Sequence, residues 1–334
     1  MKRIGAFAPR QAATLGAAAL FAGAVCCAVR SPAAAAGGDA TVLARAQAAS
    51  GRASFAGTVL VRWVDGRRVV HQVTLPATGE GGSLRLGTSA GTGATPAPGP
   101  LVVAWAGRTG VDPKSHAPDP TARYDVSVSA GPLVVGRPTQ RVTLATAGVT
   151  VEELDADIET GLFLRRRTFD PSGRTVRTVE FVTLDRLDVA VSSAAARLPM
   201  SWRSTPRWAG LPAQLGEGMH RLGVHRHDNI VQGIYGDGLR TVSVFVEPGA
   251  VDARSLPDDG EAVAIGQWAA LRWTWAGGQV VTWSDGRCTM TVVSDGTSSD
   301  ALEAADVVAA ARLPVSDPMA RLRARSREVV SLLG

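Results

Sequence analysis

Hydrophobic and polar positions alternate with period two along most of this chain, the signature of strands with one face buried. In Ser54–Val64, Phe55, Gly57, Val59, Val61 and Trp63 fall on one face and Thr58 and Arg62 on the other. Asp65-Gly66 then turns the chain, and residues 67–75 return with Val69, His71, Val73 and Leu75 in register. The same alternation predicts strands at 83–86, 101–105, 124–129, 133–135, 139–144, 149–154, 162–169 and 175–183. Gly131-Pro132, Thr160-Gly161 and Asp170-Pro171-Ser172-Gly173 supply turns. Helical spacing occurs ahead of these strands, at 39–49, where Asp39 is the expected N-cap and Val42, Leu43, Ala46 and Ala49 the apolar side. Residues 39–188 therefore read as one helix and a long antiparallel meander. One helix cannot cover so large a sheet, so a half-open barrel around a hydrophobic hollow is the economical expectation.

The Pro- and Ala-rich stretch 189–214 reads as a linker, with Pro199, Pro206 and Pro212 as breakers. A smaller α+β domain is expected over 215–313. Its predicted strands are 221–226, 230–235, 241–246, 261–264, 271–275, 279–283 and 288–293, followed by a helix at 300–312. Asp237-Gly238 between two β-rich runs is its clearest hairpin signal, because Gly accepts the positive φ of a primed turn. Residues 314–334 read as a basic helical tail, with Asp317 as cap and Pro318 in the first turn. The fold class is mainly β (α+β). Gly87–Pro100 and Lys114–Pro120 read as irregular loops.

Charge changes this picture little. The formal charge is +5, but Lys2, Arg3, Arg10 and Arg30 lie in the first 36 residues, which hold no acid, and setting them aside leaves +1. No basic stripe with interleaved aromatics marks a nucleic-acid surface. Residues 1–36 read as an export signal or N-terminal anchor: a cationic start, an apolar run from Ala12 to Val29, then small residues from Ser31 to Ala36. Past that segment only Cys288 remains, so no internal disulfide is available and burial must hold the folds.

Catalytic chemistry is sparse. No HExxH, GxSxG, CxxC, Walker A or GxGxxG motif occurs in the strand, turn or helix context its chemistry requires, and no enzyme is predicted. No cofactor is implied. His220, His225 and His227 beside Asp228 form the one histidine cluster; a strand would place His225 and His227 on one face, as two metal ligands require, but solvated histidines beside a turn are the simpler reading and no metal is assigned. Phe55, Val59, Val61, Trp63, Val69, Val73 and Leu75 are the candidate lining of the hollow, for an acyl chain or an apolar protein segment. The same residues serve equally as a core against the first helix.

Several stretches resemble the RseB/MucB regulators of extracytoplasmic sigma factors. Gly236-Asp237-Gly238-Leu239 with Ser243-Val244-Phe245-Val246-Glu247-Pro248 is similar to the "SDGL…SVF(I/V)EP" form of that family's C-terminal domain, with Gly236 where Ser is usual. Val135-Gly136-Arg137 leading into a strand, Thr160-Gly161-Leu162, the Asp170–Gly173 hairpin and Phe181–Leu184 resemble its N-terminal domain, a half-open barrel like those of the lipoprotein carriers LolA and LolB. The resemblance spans roughly residues 40–312. It implies an extracytoplasmic protein that binds the ectodomain of an anti-sigma factor, protects it from proteolysis and senses a lipid-like signal of envelope stress. It also implies Tyr235, Asp237, Leu239 and Phe245 as partner-binding residues. A second copy of the chain is also an admissible partner, and a lipid or lipoprotein carrier of the envelope is the alternative function.

Overall fold

The computed structural model describes residues 32–80, 83–87, 101–104, 118–188, 203–204, 210–216, 218–251 and 256–311. The predicted leader as far as Ser31, most of the linker, the loop after Gly87 and the C-terminal tail lie outside the described residues. Two mixed-length antiparallel sheets carry the fold. Among the described residues, no helix is long and apolar enough to cross a membrane.

The first sheet has nine strands: β1 (Ser54–Val64), β2 (Val70–Glu80), β3 (Ser83–Leu86), β4 (Leu101–Ala104), β5 (Asp125–Ala130), β6 (Thr139–Thr146), β7 (Val149–Asp157), β8 (Phe163–Phe169) and β9 (Thr175–Asp188). Their order is β4-β3-β2-β1-β9-β8-β7-β6-β5, so β4 and β5 are edges and the sheet stays open. The predicted strand at 133–135 is instead a tight turn. Val135 and Gly136 both have positive φ, 47° and 72°, and Val134 and Arg137 exchange backbone hydrogen bonds of 3.0 and 2.9 Å. That is the geometry of a two-residue primed turn, which alternation alone does not reveal. A bulge bends β1 against β9 at Gly57, where a Cβ would collide with the Thr183 carbonyl.

Helix α1 (Pro32–Arg52) starts seven residues before the predicted cap at Asp39. Pro32 suits a first turn and Ala33–Ala36 are strong helix formers, enough to carry the helix through Gly37-Gly38. Leu43, Ala46 and Ala49 are buried, and the helix lies against β5, β6 and β8.

The second sheet comprises β10 (Arg203–Ser204), β11 (Gln214–Leu215), β12 (Met219–His227), β13 (Ile230–Gly236), β14 (Thr241–Pro248), β15 (Glu261–Ile265), β16 (Trp268–Trp275), β17 (Gly278–Ser284) and β18 (Cys288–Ser294). The order is β10-β12-β13-β14-β18-β17-β16-β15, with β11 pairing β12. In β14, Val242, Val244 and Val246 are buried while Thr241, Ser243 and Phe245 are half-buried, so one face is core and the other is partly covered. Helix α2 (Ser298–Ala310) packs Ala301, Ala304, Ala305 and Val308 on this core. It begins before the expected Asp300, because Thr297 and Asp300 form a reciprocal capping box in which Asp300 is the third helical residue.

Two outcomes test these local accounts. At Gly238, φ is +91° and a Cβ would strike the Pro118 carbonyl and Pro120; at Gly173, φ is +79° and nothing lies within 4 Å. Gly238→Ala is expected to cost roughly 2–4 kcal/mol and Gly173→Ala about 1 kcal/mol in urea unfolding. Equal costs would contradict the close packing at Gly238. Burial alone would raise the Asp170 carboxyl, but hydrogen bonds from Ser172 and Arg174 outweigh it and bring the pKa down to about 2. A lowered acid pKa stabilises the hairpin fully above the ordinary carboxylate range, and that contribution is lost as pH falls through about 2. An NMR titration of Asp170 with a midpoint near that of free aspartate would refute the turn geometry.

Candidate functional site

The register of the first sheet determines what its inner face presents. Paired residues of antiparallel strands share a face. One row across the sheet therefore contains Val142, Leu154, Arg166, Val179, Val61 and Val73. The next row contains Leu144, Glu152, Thr168, Arg177, Trp63 and His71. Arg166 is thus a lone charge in an otherwise aliphatic row, and the next row adds Glu152 and Arg177. At the apolar end, Phe55 meets Phe181 edge-on with ring centroids 5.4 Å apart and covers Gly79, where no Cβ fits.

The candidate lining residues divide along the same line. Phe55, Val59, Val61 and Leu75 are buried in the core of the first sheet, and Trp63 and Val73 pack at its margin. Trp63 stacks on His71 at 5.3 Å, and His71 Nε2 lies 2.9 Å from Asp65 Oδ2. Val69 is not brought together with the others. It belongs to the turn, where its N–H donates to Asp65 Oδ1, and it is half exposed.

At the charged end the second sheet closes over the first. Arg166 on β8 pairs with Glu152 on β7 and donates from Nη1 to Asp295 Oδ2 at 3.1 Å, just past β18. Arg177 on β9 donates from Nη1 to the carbonyls of Gly277, at 2.9 Å, and Asp295, at 3.1 Å. Arg240, in the β13–β14 loop, reaches back: Nε lies 3.6 Å from Glu152 Oε2, Nη2 donates to the Val151 carbonyl at 3.3 Å, and Nη1 donates to Asp300 at 2.8 Å. Glu152, Arg166, Arg177, Asp295 and Arg240 are all buried.

The Asp237 loop anchors the other side of this joint. It is a four-residue hairpin loop, with Gly236 paired to Thr241 and Gly238 at a φ of +91°. Asp237 Oδ1 accepts the N–H groups of Leu239 and Arg240 at 2.9 and 2.8 Å, holding the loop from within. Its Oδ2 accepts from the Tyr124 hydroxyl at 2.5 Å and from Arg123 Nη1 at 3.1 Å, both in the first half of the chain. Gln47 of α1 donates to the Gly238 carbonyl at 2.7 Å. Leu239 and Ala276 join the hydrophobic core of the first sheet. A second touch point lies at the β1–β2 turn, where Gly66 sits against the side-chain ends of the Glu261–Arg272 pair.

Burial explains the titration of these groups. It pushes the Tyr124 hydroxyl upward, reinforced by the Asp237 carboxylate. It lowers the Arg177 guanidinium to about 10, assisted by the neighbouring charge of Arg166. Arg166 and Arg240 move upward instead, because the carboxylates around them outweigh the burial that alone would lower them.

Of the residues implied as partner-binding, Asp237 and Leu239 are buried in this joint. Tyr235 is buried in the core of the second sheet, with its hydroxyl donating to the Pro212 carbonyl at 2.8 Å. Phe245 is half-buried on the other face of β14. His225 is buried in β12, whereas His220 is exposed beside Gln214 and His227 lies 3.5 Å from Asp228. Among the described residues, no group of three or more His, Cys, Asp or Glu side chains is placed to hold a metal ion. The charged joint was missed in the sequence. Its one visible signal is the interruption of inward positions by Glu152, Arg166 and Arg177, where alternation calls for apolar residues.

No protein-family model and no curated protein matches this chain. Among solved structures, similar ones include a Pseudomonas aeruginosa MucA/MucB complex and MucB in complex with MucA(peri), each 19% identical, covering 80% of this chain and 97% of that one with a TM-score of 0.40. A crystal structure of MucB is 19% identical over 80% of this chain and 96% of that one, with a TM-score of 0.45. The superpositions are loose over this length.

Breaking the joint from one side should be costly, because removing one member of a buried ionic group strands the others. Arg166→Met is expected to lower stability by about 3–5 kcal/mol in chemical denaturation, with Asp295 losing its ion-pair partner and Glu152 left with only the longer contact to Arg240. A loss below about 1 kcal/mol, the scale of a surface ion pair, would show that the network is solvated.

Proposed function

We propose that this protein is an extracytoplasmic regulatory binding protein of the RseB/MucB kind. It would bind the ectodomain of an anti-sigma factor, shield that ectodomain from proteolysis, and release it when a lipid-like signal of envelope stress engages the first domain. The single observation that carries the reading is the place of Gly236-Asp237-Gly238-Leu239, the most specific of the family-like motifs. This loop does not terminate an isolated hairpin; it locks the second sheet onto the first through Asp237, Gly238 and Leu239.

A protein that only ferried lipid would have no use for that arrangement. A regulator does, since a signal received on one sheet must alter a surface on the other. Energetically, the signal shifts the equilibrium only if it binds the partner-free form better than the partner-bound form. The aliphatic rows of the first sheet are the natural receiver. Phe55, Val59, Val61 and Leu75 already fill that space, so an acyl chain must displace them or spread the sheet beside Trp63 and Val73. The export signal at residues 1–36 supports an extracytoplasmic location. MucB has been crystallised with MucA(peri), and an equivalent ectodomain is the partner assigned to this chain by proposal.

The test uses the full exported chain with the ectodomain of a single-span anti-sigma factor from the same cells. The lifetime of the ectodomain under a site-specific envelope protease should lengthen roughly ten-fold when the protein is added, and shorten again with acyl-chain micelles. Lipid bound without any protection would favour the carrier. Protection that no lipid relieves would leave binding intact and refute the sensing step.

A further inference from the structure

The two sides of the joint carry opposite net charge. The first half contributes the guanidinium groups of Arg123, Arg166 and Arg177 against the single carboxylate of Glu152. The second contributes the carboxylates of Asp237, Asp295 and Asp300 against the single guanidinium of Arg240. Together they neutralise each other; apart, each surface keeps two unbalanced charges. Domains of one chain are held rigidly where their contact is large and hydrophobic, whereas here Leu239 and Ala276 are the second half's apolar entries in the first core. A polar joint of this kind is held by exchangeable partners.

We propose that the face bearing Arg123, Arg166 and Arg177 is a binding surface for an acidic peptide segment, covered in this state by Asp237 and Asp295 of the same chain. The two aspartates act as an internal stand-in for the ligand. Asp295 offers its carboxylate to Arg166 and its carbonyl to Arg177, while Asp237 offers its carboxylate to Arg123 and the Tyr124 hydroxyl. A segment with two or three carboxylates in extended form reproduces these acceptors, and its entry separates the sheets. Trp63 and Thr168 lie in the same row as Arg177 and would border it. Separation also exposes Asp237 and Leu239, which joins this surface to the partner reading above. The inference rests on that reading only for what supplies the segment; the surface itself is tested without it.

The probe is a fluorescent Glu-rich peptide titrated into the full exported chain, with small-angle scattering at each end of the titration. Binding should weaken on going from low salt to about 0.3 M, as a charged surface requires. The radius of gyration should rise at saturation, because the halves part. The double variant Asp237→Asn/Asp295→Asn, which removes the internal competitor, should bind the peptide roughly ten-fold more tightly than the unaltered chain. If that variant fails to fold by circular dichroism, the unaltered chain decides: no binding, or binding without expansion, overturns the proposal. A folded double variant with unchanged or weaker affinity overturns it as well. Peptide binding with ectodomain protection absent would retain this surface and reject the regulator, so the two failures are distinguishable.

Discussion

The contact between Arg166 and its two carboxylates, Glu152 and Asp295, is the constraint on which the arrangement of this protein turns. A guanidinium at the centre of a sheet's buried face is tolerable only when carboxylates surround it, since an unpaired charge there would cost several kcal/mol. One carboxylate comes from the neighbouring strand and the other from the far sheet. The first sheet is thus complete only when the second is docked, and the β13–β14 loop is shaped to dock it. Asp237 spends one oxygen on its own backbone and the other on Tyr124 and Arg123, so the loop conformation and the docking contact are settled by one side chain.

The proposed function builds on this division of the inner face. Its aliphatic rows, with Phe55, Phe181 and Leu164, make an ordinary core under α1, while its charged rows make a joint. A ligand that disturbs the aliphatic rows presses on the same strands, β8 and β9, that carry Arg166 and Arg177. Under the proposed function, that continuity would be the physical route between an apolar signal and the relation of the two sheets. It needs a bistable joint, which a charge-complementary contact provides better than a greasy one.

Much of the architecture is legible from the sequence. Strands β1 and β3 coincide with their predicted bounds, and the alternation Val242, Val244, Val246 identifies the buried face of β14. Errors occur where local chemistry overrides periodicity. The primed turn at Val135-Gly136 places a β-branched residue at positive φ, which no pattern anticipates. The early start of α1 reflects alanine propensity against two glycines. The joint was opaque for a deeper reason: Arg166 and Arg177 look like outward positions in a badly alternating strand unless their partners Asp295 and Gly277, 129 and 100 residues away, are known. Pairing across sequence separations of 113 to 129 residues, as between Tyr124 and Asp237 or Arg166 and Asp295, is a property of the assembled fold.

The most direct test of the central claim is native-state hydrogen exchange at the amides of Leu239 and Arg240, which donate to Asp237 Oδ1. If the loop is locked by the joint, these amides open only with separation of the sheets. Their exchange free energies should then be equal to each other and fall together in Tyr124→Phe, by about 1–3 kcal/mol. Fast exchange at both positions in the unaltered protein, or protection indifferent to Tyr124→Phe, would show that the loop holds itself and that the joint is not what unites the two sheets.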